Sequence, residues 1–270
     1  MWPLPLPTVR RFVPACALTF ALSLLAMRTP PACAQVNTES LRLNKARSGL
    51  GGLADAAFAL KKGNVDFLSL EASGRVEYTQ GRHSPFLHGT LALAERNGQR
   101  FIYNGFAHAR WTAMWWPRLG TEVFSQIQFN RFWRLQQRAL WGAGLRVWAV
   151  HAERFELFVA TGYMLERELL QGSAVDLAPH PKDALNHRST SYATARYNLK
   201  DDVFVTNTVF FQPRFAAPSD FRLLDEAALE VALTEALSLV VAVSVLHDSQ
   251  PPPGVEKTDL NLQNKLRARF

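Results

Sequence analysis

Histidine is the residue type in this sequence most able to do acid–base or metal chemistry, and the spacing of the histidines indicates neither. No His-Glu-x-x-His motif occurs and no histidine has a cysteine partner, so we predict no metal site and no cofactor. His88 and His108 fall on segments that could pair as strands, which leaves a two-histidine contact open. The remaining histidines, at positions 83, 151, 180, 187 and 247, are interpreted as isolated polar residues.

Serine and histidine together could form a hydrolase centre, but the sequence carries no local motif for one. A Gly-x-Ser-x-Gly motif, which would place a nucleophilic serine at a strand-to-helix turn, does not occur. Gly142-Ala143-Gly144 is not followed by the helix that a phosphate-binding loop requires. We therefore predict that the protein is not an enzyme, and we name no catalytic residue.

Charged side chains form the third candidate group, and they alternate with apolar ones. Within residues 65–78, for example, Glu71, Arg75 and Glu77 share one parity while leucine, alanine, valine and tyrosine share the other. Alternate side chains of a strand point to opposite faces, so the charges are expected on one common face. The predicted set is Glu71, Arg75, Glu77, Glu122, Arg138, Arg146, Glu156, Glu166, Arg188, Arg196, Arg222, Glu226, Glu230, Lys265 and Arg267, followed by Arg269.

The last eleven residues, 260–270, show the same alternation most clearly. Leu266, Ala268 and the final Phe270 lie on the apolar parity, and amide or cationic side chains occupy the other. A transmembrane barrel has lipid outside, a polar lumen inside and aromatic residues at the interfaces. This segment is therefore predicted to be the strand that closes such a barrel.

The alternation recurs in twelve segments separated by turn signals such as Asn97-Gly98. We predict an all-β fold, a closed antiparallel transmembrane up-and-down β-barrel of about twelve strands, or ten if one hairpin is wrong. The longer breaks follow the seventh, ninth and eleventh segments, on the side opposite both ends of the chain. The segments are 49–61, 65–78, 85–95, 101–111, 122–132, 136–148, 156–166, 188–199, 203–212, 221–233, 236–246 and 260–270.

The N-terminal segment has the pattern of a secretory signal peptide. Residues 1–34 contain Arg10 and Arg11, then an apolar run, then a small-residue cleavage site at Ala32-Cys33-Ala34. Residues 35–48 are polar and are predicted to form a periplasmic arm before the barrel of 49–270. Both cysteines of the chain lie inside the signal segment, so the mature protein would have no disulfide.

Composition excludes two other classes of protein. Removal of the three signal-segment arginines lowers the formal net charge from +7 to +4, and the remaining charges of both signs are interleaved. A nucleic-acid partner is therefore not expected. No stretch after residue 34 has 18 uncharged apolar residues, which excludes a membrane-spanning helix there, although 48% of the residues are hydrophobic.

The charged face must line a lumen, because these side chains would be prohibitively costly in lipid. Two arrangements remain open: the charges could surround a narrow wet pore, or they could pair across strands and fill the interior. Twelve strands lie between filled eight-stranded barrels and open sixteen-stranded porins, so strand number does not decide.

The chain resembles the DUF481 family, the salt-stress-induced outer-membrane proteins similar to YdiY. The residues that carry the resemblance are Gly63-Asn64, the Arg138/Gly142-Ala143-Gly144 strand, Phe211-Gln212-Pro213, and the tail with Pro252, Gly254, Asp259 and Phe270. It covers residues 49–270, nearly all of the mature chain. The resemblance implies an outer-membrane barrel with no established activity, so it assigns no catalytic residue.

The functional expectation is an integral barrel of the cell outer membrane that supports the envelope under osmotic stress, with or without passage of small solutes. Its partners would be outer-membrane lipid and, through the C-terminal strand, the outer-membrane assembly machinery, and it would be a monomer. Two alternatives remain: a lipid- or envelope-modifying barrel enzyme, and a soluble periplasmic all-β binding protein.

Overall fold

Alternating side chains produce one closed sheet in this protein. The computed structural model describes residues 49–62 and 66–269. Twelve antiparallel strands follow one another around the barrel in sequence order, and β12 returns to pair with β1. They are β1 Gly49–Lys61, β2 Phe67–Thr79, β3 His83–Arg96, β4 Gln99–Met114, β5 Leu119–Asn130, β6 Leu135–His151, β7 Phe155–Leu170, β8 Asp183–Lys200, β9 Val203–Arg214, β10 Ala217–Ala232, β11 Leu237–Asp248 and β12 Thr258–Arg269.

The predicted fold class is therefore confirmed, with twelve strands rather than ten. Each predicted segment overlaps one observed strand, and most strands extend a few residues further into the predicted turns. The signal segment 1–34, the arm 35–48, Gly63-Asn64 and Phe270 lie outside the described residues. Those predictions stay predictions.

Two predicted breaks are shorter than the sequence suggested. The loop predicted after the ninth strand is wrong, because β9 continues to Arg214 and β10 begins at Ala217. Pro213 pairs with Phe221, and the sheet tolerates it beside a register shift between Ala217 and Phe221, a place where proline is found in sheets. The break predicted at 168–187 shrinks to 171–182, since β7 reaches Leu170.

The two ends of the barrel differ in their connections. We call the end that carries segments 171–182 and 249–257 the loop end, and the end that carries Gly49 and Arg269 the terminus end. The connections at the terminus end are short turns of two to four residues, such as 201–202 between β8 and β9. The asymmetry between the two ends therefore rests on two long loops, not on the three that were predicted.

A short helix, α1 (Ala174–Leu177), lies within the longest loop. Ser173 and Asp176 form a capping box, in which each side chain bonds to the other residue's backbone N–H. Leu177 points into the barrel mouth and is fully buried. It joins an apolar cluster with Leu135, Leu170 and other side chains of the interior. The loop thus covers the mouth at the loop end.

The outward face is apolar along the whole sheet. Leu50 and Phe58 are 71% and 67% exposed, and leucine, valine and aromatic side chains occupy outward positions on every strand. Trp111, Trp115 and Trp116 also lie on this surface, beside the β4–β5 turn, as expected for an interfacial aromatic girdle. This reversed polarity, apolar outside and ionic inside, is that of a transmembrane β-barrel.

No helix among the described residues is long and apolar enough to cross a membrane.

The seam between the first and last strands is paired over part of its length. Among the described residues four pairs join β1 to β12, from Leu53↔Arg269 to Ala56↔Leu266. Every other neighbouring pair of strands shares ten or more. The four pairs lie toward the terminus end, so the barrel is closed there and less completely toward the loop end.

Candidate functional site

The interior of the barrel holds the predicted charged residues. Ten of the fifteen are buried: Arg75, Glu77, Glu122, Arg138, Arg146, Glu166, Arg188, Arg222, Glu230 and Arg267. The other five, Glu71, Glu156, Arg196, Glu226 and Lys265, are half-buried. The inward parity of each strand places them there, because neighbouring outward positions must be apolar to face lipid.

A network near the loop end is centred on Glu166 of β7. Arg188 Nε donates to Glu166 Oε1 at 3.0 Å, and Arg138 Nε lies 3.6 Å from Oε2. Arg222 Nη1 donates to Oε2 from β10, three strands away from β7. Three guanidinium groups thus surround one buried carboxylate, and a buried charge must have such partners to be tolerated.

Further carboxylates balance those arginines. Arg138 and Arg222 both donate to Glu168, the latter at 2.9 Å. Arg222 also donates to Asp248 at 2.9 Å. Arg188 Nη2 donates to Asp220 Oδ1 at 2.8 Å, and Asp220 lies 3.6 Å from Arg214. The network therefore links six strands, from β6 to β11, around the inside of the wall.

A second group lies inside the barrel between β4 and β8. Tyr192 Oη of β8 donates to Glu122 Oε2 of β5 at 2.6 Å. Arg146 Nη1 donates to Glu122 Oε1 at 3.0 Å and to Tyr192 Oη at 2.7 Å. Arg110 Nη1 reaches both acceptors at 3.4 Å. Two cations, one carboxylate and one phenol therefore link β4, β5, β6 and β8 inside the barrel.

A third group ties the seam. Asp55 of β1 and Arg267 of β12 are register partners, and their side chains bond at 3.0 and 3.3 Å. Arg267 Nη1 also donates to Glu230 Oε2 of β10 at 2.8 Å, and Arg269 donates to the other oxygen of Glu230. Both Asp55 and Arg267 are buried. The closing strand is thus fixed by an ionic contact as well as by its ladder.

Aromatic side chains pack around the remaining charges of the interior. Arg75 donates to Glu77 at 2.7 Å and lies over the Phe86 ring, 3.7 Å from its centroid. Arg196 lies over the Phe204 ring at the same distance and donates to Asn198. Cation–π contacts of this kind are favourable where water is excluded.

A small cavity lies among these groups. A cavity of about 40 Å³ lies beside Tyr192, Glu122, His108 and Gln126. One water needs on the order of 10–15 Å³, so the cavity has room for about three or four waters. The ion pairs between strands that the filled arrangement requires are therefore present among the described residues around this cavity.

Bare backbone lines part of that cavity. Gly144 of β6 and Gly162 of β7 are register partners, and both line the cavity. A Cβ on Gly162 would collide with the Ala143 carbonyl oxygen and the Gly144 Cα. The two strands can approach so closely only because neither position has a side chain.

The histidines make ordinary polar contacts. His88 and His108 face each other as register partners, but each ring bonds elsewhere: His88 Nδ1 with the Gly74 carbonyl at 2.8 Å, and His108 Nδ1 with Gln126 at 3.0 Å. Among the described residues no group of three or more His, Cys, Asp and Glu side chains could hold a metal ion.

Two histidines meet hydroxyl groups near the loop end. His187 Nδ1 lies 2.5 Å from Tyr163 Oη, and His247 Nδ1 lies 2.9 Å from Thr258 Oγ1. These are the contacts that an enzyme in the barrel wall would have to use. A nucleophile–base pair is usually completed by a third group that orients the base, and the described ion pairs give neither histidine a carboxylate.

Several interior residues were not predicted. Asp55 and Arg110 belong to predicted strands and share parity with Leu53 and His108, so their positions followed from the alternation. Glu168, Asp220 and Asp248 were assigned to loops because the strands were ended too early. Tyr192 was missed because an aromatic residue on the polar parity gives no signal of its polar contacts.

The chain belongs to the DUF481 family, described as a protein family of unknown function, and the family model matches residues 54–270. The predicted resemblance is therefore confirmed. Among curated proteins, none matches this chain.

Solved structures that resemble this chain include outer-membrane barrels of low sequence identity. The NanC porin is 8% identical, with a TM-score of 0.47, and the match covers 81% of this chain and 97% of the porin. The translocator domain of the autotransporter NalP from Neisseria meningitidis is 10% identical, with a TM-score of 0.47 and coverage of 95% and 96%. The KdgM porin in complex with oligogalacturonate is 6% identical, with a TM-score of 0.41 and coverage of 82% and 96%.

Proposed function

We propose that this protein is an integral β-barrel of the bacterial outer membrane that supports the envelope as a closed, non-conducting barrel, with a role under osmotic stress. The apolar outward face supports a membrane location, and the secretory pattern of residues 1–34 supports export. The osmotic role comes from the resemblance to salt-stress-induced family members. A barrel of this type needs no cofactor.

The observation that carries the closed form is the ionic filling of the lumen. The Glu122–Tyr192–Arg146 contacts join β5, β6 and β8 inside the lumen, and the Glu166 network occupies the loop end. An ion that entered would have to separate buried pairs, and leaving one partner of such a pair uncompensated costs about 3–5 kcal/mol. That barrier opposes a steady flow of solute.

Orientation and partners follow from the same proposal. The terminus end lies in the periplasm, with the arm 35–48, and the loop end faces outward. The assembly machinery recognises the last strand through Leu266, Ala268 and Phe270, and lipid covers the barrel wall of a monomer. Nucleic acid is not a partner.

Planar-bilayer recordings test the closed form. The refolded mature chain is expected to insert, as shown by a heat-modifiable shift on gels, and to give no unitary conductance steps. Steady steps from the unmodified chain would contradict the proposal and support the solute-pore version.

A cavity-making variant sharpens that test. In Arg146→Ala combined with Tyr192→Ala, Glu122 keeps its contact with Arg110 and loses its contacts with β6 and β8. We expect ion leakage from this variant and none from Arg167→Ala, whose exposed side chain pairs with Asp183 near the loop end. Fractionation tests the soluble alternative: release of the mature chain without detergent would favour a soluble periplasmic binding protein.

A further inference from the structure

The β1–β12 seam lacks half of its ladder. Its four register pairs end at Ala56↔Leu266. Beyond them, β1 continues to Lys61 and β12 extends back to Thr258, and each is paired on its other side, with β2 and β11. The same register would next pair Ala57 with Lys265 and Phe58 with Asn264, but the strands are not joined there.

The β1 side of this unpaired half is open on both faces. From Ala56 to Leu60 every side chain is exposed, including Ala57 and Ala59, which share the inward parity of the buried Asp55. Elsewhere the inward face is mostly buried. The lumen is therefore filled beside β4 to β11 and accessible beside the loop-end half of β1.

Three side chains connect β2 to β12 on the lumen side of this unpaired half. Gln263 Nε2 of β12 donates to Glu71 Oε1 of β2 at 3.0 Å, and Lys265 Nζ lies 3.9 Å from the same oxygen. Glu71 pairs in register with Ala57, so its carboxylate passes over β1 to reach β12. Alanine at 57 and 59 leaves room for that reach. We call Glu71, Gln263 and Lys265 the seam latch.

A lipid-facing sheet edge is unfavourable because lipid cannot bond its free N–H and C=O groups. In the loop-end half of the seam, side chains therefore hold β1 and β12 together where the backbone ladder is missing. We propose that the loop-end half of the β1–β12 seam is a lateral gate between the lumen and the surrounding lipid, held by the seam latch and anchored at its base by the Asp55–Arg267 pair. The proposal rests on the membrane location proposed above.

Matched cysteine pairs test the gate. Phe58→Cys with Asn264→Cys places two thiols across the unpaired half, and Ala54→Cys with Ala268→Cys places two across the paired half. Both pairs lie on the outward face. They are four residues apart along each strand, so both have the same hydrogen-bonding type in an antiparallel ladder. Cys16 and Cys33 are replaced by serine in both variants. The rate of disulfide formation is measured in the folded protein in vesicles, by mobility on non-reducing gels.

The paired-half thiols are expected to cross-link within the monomer several-fold faster than the gate thiols. Glu71→Ala should slow the gate pair further and leave the paired-half rate unchanged. Three results would each overturn the proposal. The two pairs could cross-link at equal rates, the rate of the gate pair could be unchanged by Glu71→Ala, or the gate cysteines could join two monomers into a dimer. A failure of membrane insertion would give a different result: the heat-modifiable form would be lost in both cysteine variants, including Ala54→Cys/Ala268→Cys.

Discussion

Glu166 shows what a single residue does in this interior. It is buried and lies against the guanidinium groups of Arg138, Arg188 and Arg222. Its charge offsets arginines that come from three other strands, so it acts on the sheet as a whole. An isosteric but neutral side chain would leave those arginines short of a counter-charge while filling the same volume.

Glu166→Gln is therefore expected to destabilise the barrel by about 3–5 kcal/mol, the usual cost of removing one partner from a buried ion pair. Urea unfolding of the protein in vesicles, followed by tryptophan fluorescence, measures the change. Asp183→Asn makes the same acid-to-amide change at an exposed pair with Arg167, where solvent screens the interaction, and should change the midpoint little. Equal midpoints for Glu166→Gln and the parent would contradict the role assigned to Glu166.

Asp176 gives the loop over the barrel mouth a pH dependence. Hydrogen bonds from the Ser173 hydroxyl and backbone N–H lower the pKa of Asp176. A lowered pKa means that the carboxylate stabilises the folded turn at neutral pH and that this contribution is lost as pH falls through the folded-state pKa. Limited proteolysis of segment 171–182 should accelerate on acidification, and Asp176→Asn should remove that acceleration. A parent and variant with the same pH profile would count against it.

At the scale of elements, the close contact between β6 and β7 depends on two positions that have no side chain. The Gly144–Gly162 pair lets two backbones approach beneath the Tyr192 group. Strand period alone would predict an ordinary side chain at each position. Because the approach is backbone to backbone, no rotamer change could relieve a collision there.

Gly162→Ala is expected to destabilise the barrel by about 1–3 kcal/mol, the range for overpacking a dense interior. Gly89→Ala on β3 is the matched control, since its added methyl carbon would lie 3.5 Å from the nearest atom, the Phe106 carbonyl oxygen, which is ordinary contact. Unfolding midpoints of the two variants measure the difference. If Gly89→Ala lowers the unfolding midpoint as much as Gly162→Ala, the close approach of the β6 and β7 backbones does not explain the destabilisation.

At the scale of the whole molecule, the side of the membrane that each end faces can be tested directly. Gln250→Cys lies on the β11–β12 loop and Asp201→Cys on the β8–β9 turn, and both native residues are exposed. In intact cells a thiol reagent that does not cross the outer membrane should label position 250 and spare position 201. The reverse pattern would invert the proposed orientation.

The sequence predicted the barrel well because period-two alternation needs no knowledge of distant contacts. Strand number, closure and the face of each charge followed from parity. The partners did not, because Arg222 reaches Glu166 and Tyr192 reaches Glu122, in each case from three strands away. Such distances depend on barrel diameter and on side-chain length together. The half-paired seam was missed for a related reason, since alternation fixes a strand's faces but not how much of its edge is used.

Trp133 has a consequence for the shape of the barrel. Its indole Nε1 donates to Asp259 Oδ2 at 2.8 Å, joining the β5–β6 turn to the start of β12. These two points are separated by several strands on the rim, so the bond spans the opening and restrains its width in that direction. A dilation of that rim, under lateral tension in the bilayer for instance, would have to break this contact.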